Sequence, residues 1–367
     1  MRILVIGNST RGVVCSAKKA GYTVYALDRF GDVDMRKCAD KYGFFEGMPE
    51  RRLYELASAF GEVDSVVLMP GFEKLRFKNV LNNRLQVLEE VNDKLKIAEN
   101  FSKMDIPHPE TRSLNKASEL GFPLMIKPRF GSGGIQNSVL RDEDDLSSFM
   151  ERSNTEEFIA QEFVEGIPCS ASLIGNGDEA VIVALNEQLI GIPWLTRLPF
   201  AYCGNITPFN SKFNNEMIQY ATRIALEFRL LGSNGVDFML TEKGVSVLEV
   251  NPRFQGSIDT VELSMGINIF DAHVKSFSGE LPERGKPVCF AAKAIVYANR
   301  NIVINEKISG TLARCMEKGR ASDIPQAGWI VRPDEPVVTV LETGKTREIV
   351  LEKIGTSSRK IKEITEA

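Results

Sequence analysis

Gly235-Val236-Asp237-Phe238-Met239-Leu240-Thr241-Glu242-Lys243-Gly244-Val245-Ser246-Val247-Leu248-Glu249-Val250-Asn251-Pro252-Arg253 reads as two apolar-polar alternating strands joined by a tight turn. A three-residue loop, Glu242-Lys243-Gly244 with Gly244 left-handed, pairs Thr241 with Val245 and sets Asp237 opposite Glu249. In that register Val247, Glu249 and Asn251 share one face, while a two-residue loop would put the two acids on opposite faces. Carboxylates opposed across strands repel unless a cation lies between them, and an all-oxygen set selects a hard cation such as magnesium. A solvated acidic face is the plainer alternative. Asn251-Pro252-Arg253 favours the metal, because it sets a guanidinium where phosphoryl charge would develop.

Upstream, Leu124-Met125-Ile126-Lys127-Pro128 is a strand that puts Met125 and Lys127 on one face. Gly131-Ser132-Gly133-Gly134 follows, a run able to fold backbone N–H groups over phosphate oxygens or to serve as a flexible hairpin loop. It does not match the Walker pattern. Phe158 to Gly166 is a further strand running into a turn, by default an edge or core strand and alternatively an interdomain hinge whose backbone reads an adenine edge.

The first 91 residues alternate strand and helix: Ile3–Ile6, a turn through Gly7 and Gly12 into a helix ending at Lys19, then Thr23–Leu27, a helix over 52–60 and a strand over 65–69. That order predicts a small parallel sheet. Residues 92–284 read as α+β, opening on a helix capped by Asn92-Asp93. Residues 285–367 read as β-rich with a helical tail, which gives three segments: 1–91, 92–284 and 285–367.

The 367 residues are 43% hydrophobic and carry a net charge of −4, so the basic surplus of a non-specific nucleic-acid binder is missing. No apolar run reaches membrane-spanning length, and Met1–Gly7 reads as a strand rather than a leader, so the expectation is a cytoplasmic protein without nucleic-acid or membrane partners. The six cysteines are scattered and are expected to be reduced thiols. With only His108 and His273 present, chemistry falls to Lys, Arg, Asp and Glu.

In order and spacing, Asp93-Lys94, Lys127-Pro128 with its glycine loop, Gln161-Glu162-Phe163-Val164-Glu165-Gly166, Asp237 and Glu249-Val250-Asn251-Pro252-Arg253 resemble the ATP-grasp superfamily of carboxylate–amine or carboxylate–thiol ligases. The likeness is strongest to predicted ATP-dependent carboligases related to biotin carboxylase. It implies a multidomain α/β and α+β protein: a Rossmann-like pre-ATP-grasp domain, an ATP-grasp domain of two subdomains clamping ATP, and a β-rich C-terminal segment. It also implies roles. Lys94 and Lys127 would contact ATP phosphates, Lys127 also lying near the adenine; Ser132, Gly133 and Gly134 would close over the phosphates. Glu162, Phe163, Val164 and Glu165 would hold the adenosine side. Asp237, Glu249 and Asn251 would bind two magnesium or manganese ions, and Arg253 would stabilise the transferring phosphoryl group. Ser9, Glu73 and Ser257 are candidates for substrate contact, although Ser9 and Glu73 read equally well as turn residues.

The implied reaction activates a small-molecule carboxylate as an acyl phosphate for attack by an amine, releasing ADP and phosphate, in a chain of a kind that is often homodimeric. Pro168 departs from the family, which usually has a polar ribose ligand there. Trp194, Arg197 and Tyr202 are placed to shape specificity. Three alternatives stay open: a bicarbonate-activating carboxylase-like enzyme, an ATP-binding regulator without turnover and, because Gly7…Gly12 is not G-x-G-x-x-G, only weakly a nicotinamide oxidoreductase.

Overall fold

The computed structural model describes residues 1–47, 50–131, 133–134 and 136–366. Strands β1 (Arg2–Gly7), β2 (Thr23–Asp28), β3 (Lys41–Phe44) and β4 (Ser65–Leu68) form a parallel sheet in the order β3-β2-β1-β4. Helices α1 (Arg11–Lys19) and α2 (Val33–Cys38) cover one side and α3 (Glu50–Ser58) the other. Strands β1, β2 and β4 are almost continuously apolar because both faces are buried, whereas the edge strand β3 is largely exposed. The expected parallel sheet is there, with α2 and β3 added. Both are short and weakly patterned, which is why periodicity does not reveal them.

Helices α4 (Leu85–Val91) and α5 (Lys94–Lys103) lead into a small antiparallel sheet of β5 (Thr111–Ser113), β6 (Leu124–Pro128), β7 (Ser138–Leu140) and β8 (Phe158–Glu162), ordered β5-β8-β6-β7, with α6 (Glu143–Arg152) packed on it. A larger antiparallel sheet holds β9 (Ile167–Asn176), β10 (Ala180–Ile190), β11 (Tyr202–Thr207), β12 (Leu231–Thr241), β13 (Gly244–Asn251) and β14 (Phe290–Tyr297). Strands β15 (Ile302–Val303) and β17 (Ile330–Val331) pair separately, while β16 (Ala321–Ser322) and β18 (Pro336–Gly344) complete the large sheet in the order β13-β12-β9-β10-β11-β14-β18-β16. Strands from both sides of residue 285 thus share one sheet. One face packs α5 and α7 (Asn214–Glu227) through Phe101, Phe238 and Val247. Against the other lie α8 (Ile258–Met265) and α9 (Ile269–Ser276), which reach the N-terminal sheet; α10 (Glu306–Glu317) and α11 (Arg347–Glu366) pack on the C-terminal strands.

Two expectations are corrected. Asp237 does pair with Glu249, but not through a three-residue loop: Thr241 pairs with Gly244, so the turn has two residues, Glu242 and Lys243. A bulge then restores the parity, since Phe238 pairs with Val247 and Asp237 with Glu249, leaving Leu248 extra. Val247 accordingly joins Val245 and Val250 in the core instead of sharing the face of Glu249.

The second correction concerns cysteine. Cys15 and Cys38 form a disulfide with Cα atoms 5.0 Å apart, leaving Cys169, Cys203, Cys289 and Cys315 free. Spacing of 23 residues gives no hint of this; it follows from α1 packing on α2. Thiol titration of the denatured, non-reduced protein is expected to find four thiols per chain, and six would contradict the pairing. Reduction is expected to lower stability by about 3 kcal/mol, the entropy of releasing a closed loop of that size, read from denaturation midpoints.

Candidate active site

A cleft of about 760 Å³ opens between the small sheet and the large one. From the large sheet β12 presents Asp237 and Met239, and β13 presents Leu248 and Glu249. From the small sheet come Met125 and Lys127 on β6, with the glycine loop and the segment Gln161–Gly166 continuing the wall. Alternation puts Val236, Phe238 and Leu240 in the core and the intervening residues in the cleft.

Asp237 and Glu249 face each other as β-partners. Oδ2 of Asp237 accepts from Asn251 Nδ2 at 3.0 Å, but the buried Oδ1 has no partner among the described residues. Burial pushes the Asp237 carboxyl up to about 8, the negative charge of Glu249 adds to the rise, and Gln188, Asn251 and Arg253 pull against it. Such a carboxylate is short of positive charge. A hard cation fits it, with a proton as the substitute when none is bound. Two carboxylates and an amide supply only part of the shell, and among the described residues no group of three or more His, Cys, Asp or Glu could hold a metal alone. The set therefore suits a cation that arrives with phosphate oxygens.

Two ammonium groups stand beside the carboxylates. Lys127 Nζ donates to Gln161 Oε1 at 2.8 Å, and Gln161 Nε2 donates to Thr111 Oγ1 at 2.9 Å. Burial pushes Lys127 down to about 8; Glu249 and Asp237 oppose the shift and Lys94 adds to it. Lys94 Nζ donates to the Gly131 carbonyl at 2.7 Å and lies 3.9 Å from Glu249 Oε2. The loop glycines are needed as glycines: a Cβ on Gly134, which has φ +71°, would stand 2.1 Å from the Phe200 carbonyl oxygen.

Lys94, Lys127, Gly133, Gly134, Glu162, Phe163, Val164, Glu165, Asp237 and Glu249 all line the cleft. Asn251 stands behind Asp237 and is its hydrogen-bond donor. Arg253 does not line the cleft, although its charge reaches Asp237. Ser132 lies outside the described residues. The three substrate candidates are elsewhere. Ser9 is exposed in the turn after β1, Glu73 accepts from the Gly71 N–H at 2.7 Å as a turn residue, and Ser257 is buried with Oγ 3.1 Å from Ser172 Oγ.

Tyr202 lines the cleft, but Trp194 packs on the C-terminal core and Arg197 pairs with Asp334. Pro168 is in the wall opposite Met239, so the expected ribose position is apolar. Met239 and Gln188 were missed. Strand alternation from Asp237 was signal enough for Met239; nothing in the sequence tells which face of β10 Gln188 occupies.

Comparison with known proteins bears on this architecture. Residues 91–257 match the family model described as ATP-grasp domain. An uncharacterized protein of Methanocaldococcus jannaschii is 27% identical over 376 residues, 95% of this chain and 90% of that protein. Carbamoyl phosphate synthase large chains are also matched, but this chain spans only 22% of the one from Geobacillus stearothermophilus. Among solved structures, an ADP complex of N5-carboxyaminoimidazole ribonucleotide synthetase superposes with a TM-score of 0.75 at 18% identity, covering 100% of this chain and 98% of that one. The biotin carboxylase domain of Hydrogenobacter thermophilus 2-oxoglutarate carboxylase, in complex with MgADP and bicarbonate, gives 0.71 at 16% identity, covering 96% and 88%.

The fold is the ATP-grasp fold, multidomain and mixed α/β, as the sequence motifs implied. The resemblance to the ATP-grasp superfamily is borne out, with an ATP-grasp domain matched over residues 91–257. Among the described residues no helix is long and apolar enough to cross a membrane.

Proposed function

We propose that this protein is an ATP- and magnesium-dependent ligase that activates a small-molecule carboxylate as its acyl phosphate for attack by an amine. The observation that carries the reading is the buried Oδ1 of Asp237, which has no hydrogen-bond partner among the described residues, facing Glu249 in a cleft that also holds two lysines.

The division of labour follows from charge. Lys94 and Lys127 neutralise the phosphates of ATP, Lys94 exchanging the Gly131 carbonyl for a phosphate oxygen. Asp237, Glu249 and Asn251 would hold magnesium, which when bound draws together the phosphate oxygens and offsets their charge. Met125, Met239 and Leu248 supply apolar walls for the base, and the backbone of Glu162 to Val164 offers hydrogen bonds to its edge. Arg253, following the metal strand, stabilises charge on the phosphoryl group as it passes to the carboxylate. Positioning and charge neutralisation supply the catalysis, so no side-chain nucleophile is required.

Coupled measurement of ADP release tests the reading. The unaltered protein is incubated with ATP, magnesium and a panel of carboxylates, bicarbonate included, each with and without amines. ADP formation that needs both a carboxylate and an amine is the expected result. Release with bicarbonate and no amine would replace this reading by the carboxylase-like one; nucleotide binding without turnover on any pair would favour a regulator.

A further inference from the structure

The cleft has walls from two separately packed cores, and an ion pair with a buried carboxylate and a half-buried guanidinium joins them. Asp93, 2% exposed, caps α5 by accepting from the N–H groups of Leu95 and Lys96. Helix α5 belongs to the core of the large sheet through Ile97 and Phe101. The same Asp93 carboxylate receives two parallel bonds from Arg129, Nε to Oδ1 at 2.9 Å and Nη2 to Oδ2 at 2.7 Å. Arg129 belongs to the small sheet: it follows β6 directly, and its N–H donates to the Glu157 carbonyl at 2.8 Å. The Lys94 N–H donates back to the Arg129 carbonyl at 3.2 Å.

We infer that Asp93 and Arg129 are a positioning pair, a bidentate latch that fixes the spacing of the two walls at the nucleotide. The placement of their neighbours gives the latch its consequence. Lys94 is adjacent to Asp93 and Lys127 is two residues before Arg129. The glycine loop begins two residues after Arg129, with Gly131 already bonded to Lys94. Both lysines and the root of the loop thus lie within two residues of this fork-to-carboxylate contact, which the two Lys94 bonds supplement. Arg129 is suited to this because its planar fork matches a carboxylate in two bonds, which a lysine cannot reproduce. Neither residue lines the cleft. Their effect on nucleotide passes through Lys94, Lys127 and the loop.

The latch rests on the nucleotide reading of the cleft, and MgADP binding measured by calorimetry separates the two. Asp93→Asn keeps the helix cap, since asparagine caps as well as aspartate, but loses the charged pair. Arg129→Met removes the fork, and Arg129→Lys keeps the charge without the two parallel bonds. The unaltered protein is expected to bind one MgADP per chain. Asp93→Asn and Arg129→Met should each weaken it at least tenfold, Arg129→Lys should fall between, and the double variant should lie within about twofold of the worse single because the pair acts as a unit. Far-ultraviolet circular dichroism of Asp93→Asn matching the unaltered protein would show that the loss is local. Unchanged affinity in folded Asp93→Asn or Arg129→Met, a full return of affinity with Arg129→Lys, or effects that multiply in the double variant would overturn the latch while leaving the nucleotide site standing. No MgADP binding by the unaltered protein would overturn the nucleotide reading and the latch together.

Discussion

Arg11→Met is expected to destabilise the protein by about 3–5 kcal/mol at pH 7.5, the scale for removing one partner of a buried ion cluster. Arg11, the first residue of α1, is 5% exposed and binds Asp259 of α8 through both terminal nitrogens. It also binds Asp323, Nε to Oδ1 at 2.8 Å, and stands 3.6 Å from Asp34 of α2. One guanidinium thereby ties the parallel sheet to α8 and to the segment after β16. Burial alone would raise the carboxyls of Asp259 and Asp323, but Arg11 and then Lys293 hold both below the usual carboxylate range. Asp34 and Asp32 are already raised, by burial first and then by the charge of Asp323. Without Arg11, Asp259 keeps Lys293 at 3.1 Å, while Asp323, Asp34 and Asp32 lose their nearest cation.

The sign with pH follows from proton uptake. In the variant Asp34 and Asp32 keep folded values above their unfolded ones and lose the charge that opposes the rise, so the folded state binds more protons and its stability falls as pH rises through that range. In the unaltered protein the lowered Asp259 and Asp323 contribute fully above the ordinary aspartate range and lose that contribution only as pH falls below it. The gap between variant and unaltered protein should therefore be widest near pH 7.5 and narrower near pH 5. Denaturant midpoints at the two values measure it. A loss under about 1 kcal/mol at pH 7.5 would mean the cluster is not the tie described.

Glu249→Ala is expected to lower ATP turnover by about 10³-fold, about 4 kcal/mol of barrier, in the assay pair that gives the most ADP. The side chain stands opposite Asp237, as the second carboxylate of the proposed cation set, and lies 3.9 Å from Lys94. Its loss leaves Asp237 and Asn251 alone to hold a divalent ion. Because Glu249 is 27% exposed at the cleft surface and contributes nothing to the core, the fold should survive, which an unchanged circular dichroism spectrum would show. Turnover within tenfold of the unaltered protein would remove Glu249 from the mechanism.

The opposition of Asp237 and Glu249 was legible because alternation and a short turn nearly determine it. The bulge at Leu248 was not, because an extra residue leaves no mark in an alternating pattern, and two departures from expectation cancelled. The Asp93 cap was legible from a local rule. Its pairing with Arg129 spans 36 positions and depends on how two sheets are set against one another. Helix α10 shows the opposite case: Asn305, whose side chain accepts from the Ile308 N–H, precedes Ile308, Leu312 and Met316 at helical spacing, a signal that the sequence itself carries. The disulfide is again a matter of helix packing, with no local trace at Cys15 or Cys38.

Calorimetric titration of a non-hydrolysable ATP analogue, with and without magnesium, into the unaltered protein and into Glu249→Ala puts the cation-and-phosphate cleft to its most direct test. The unaltered protein should bind one analogue per chain and bind it more tightly with magnesium, and Glu249→Ala should lose that magnesium-dependent part. Equal affinity with and without magnesium in both proteins would contradict the assignment of Asp237, Glu249 and Asn251 as the metal-holding face.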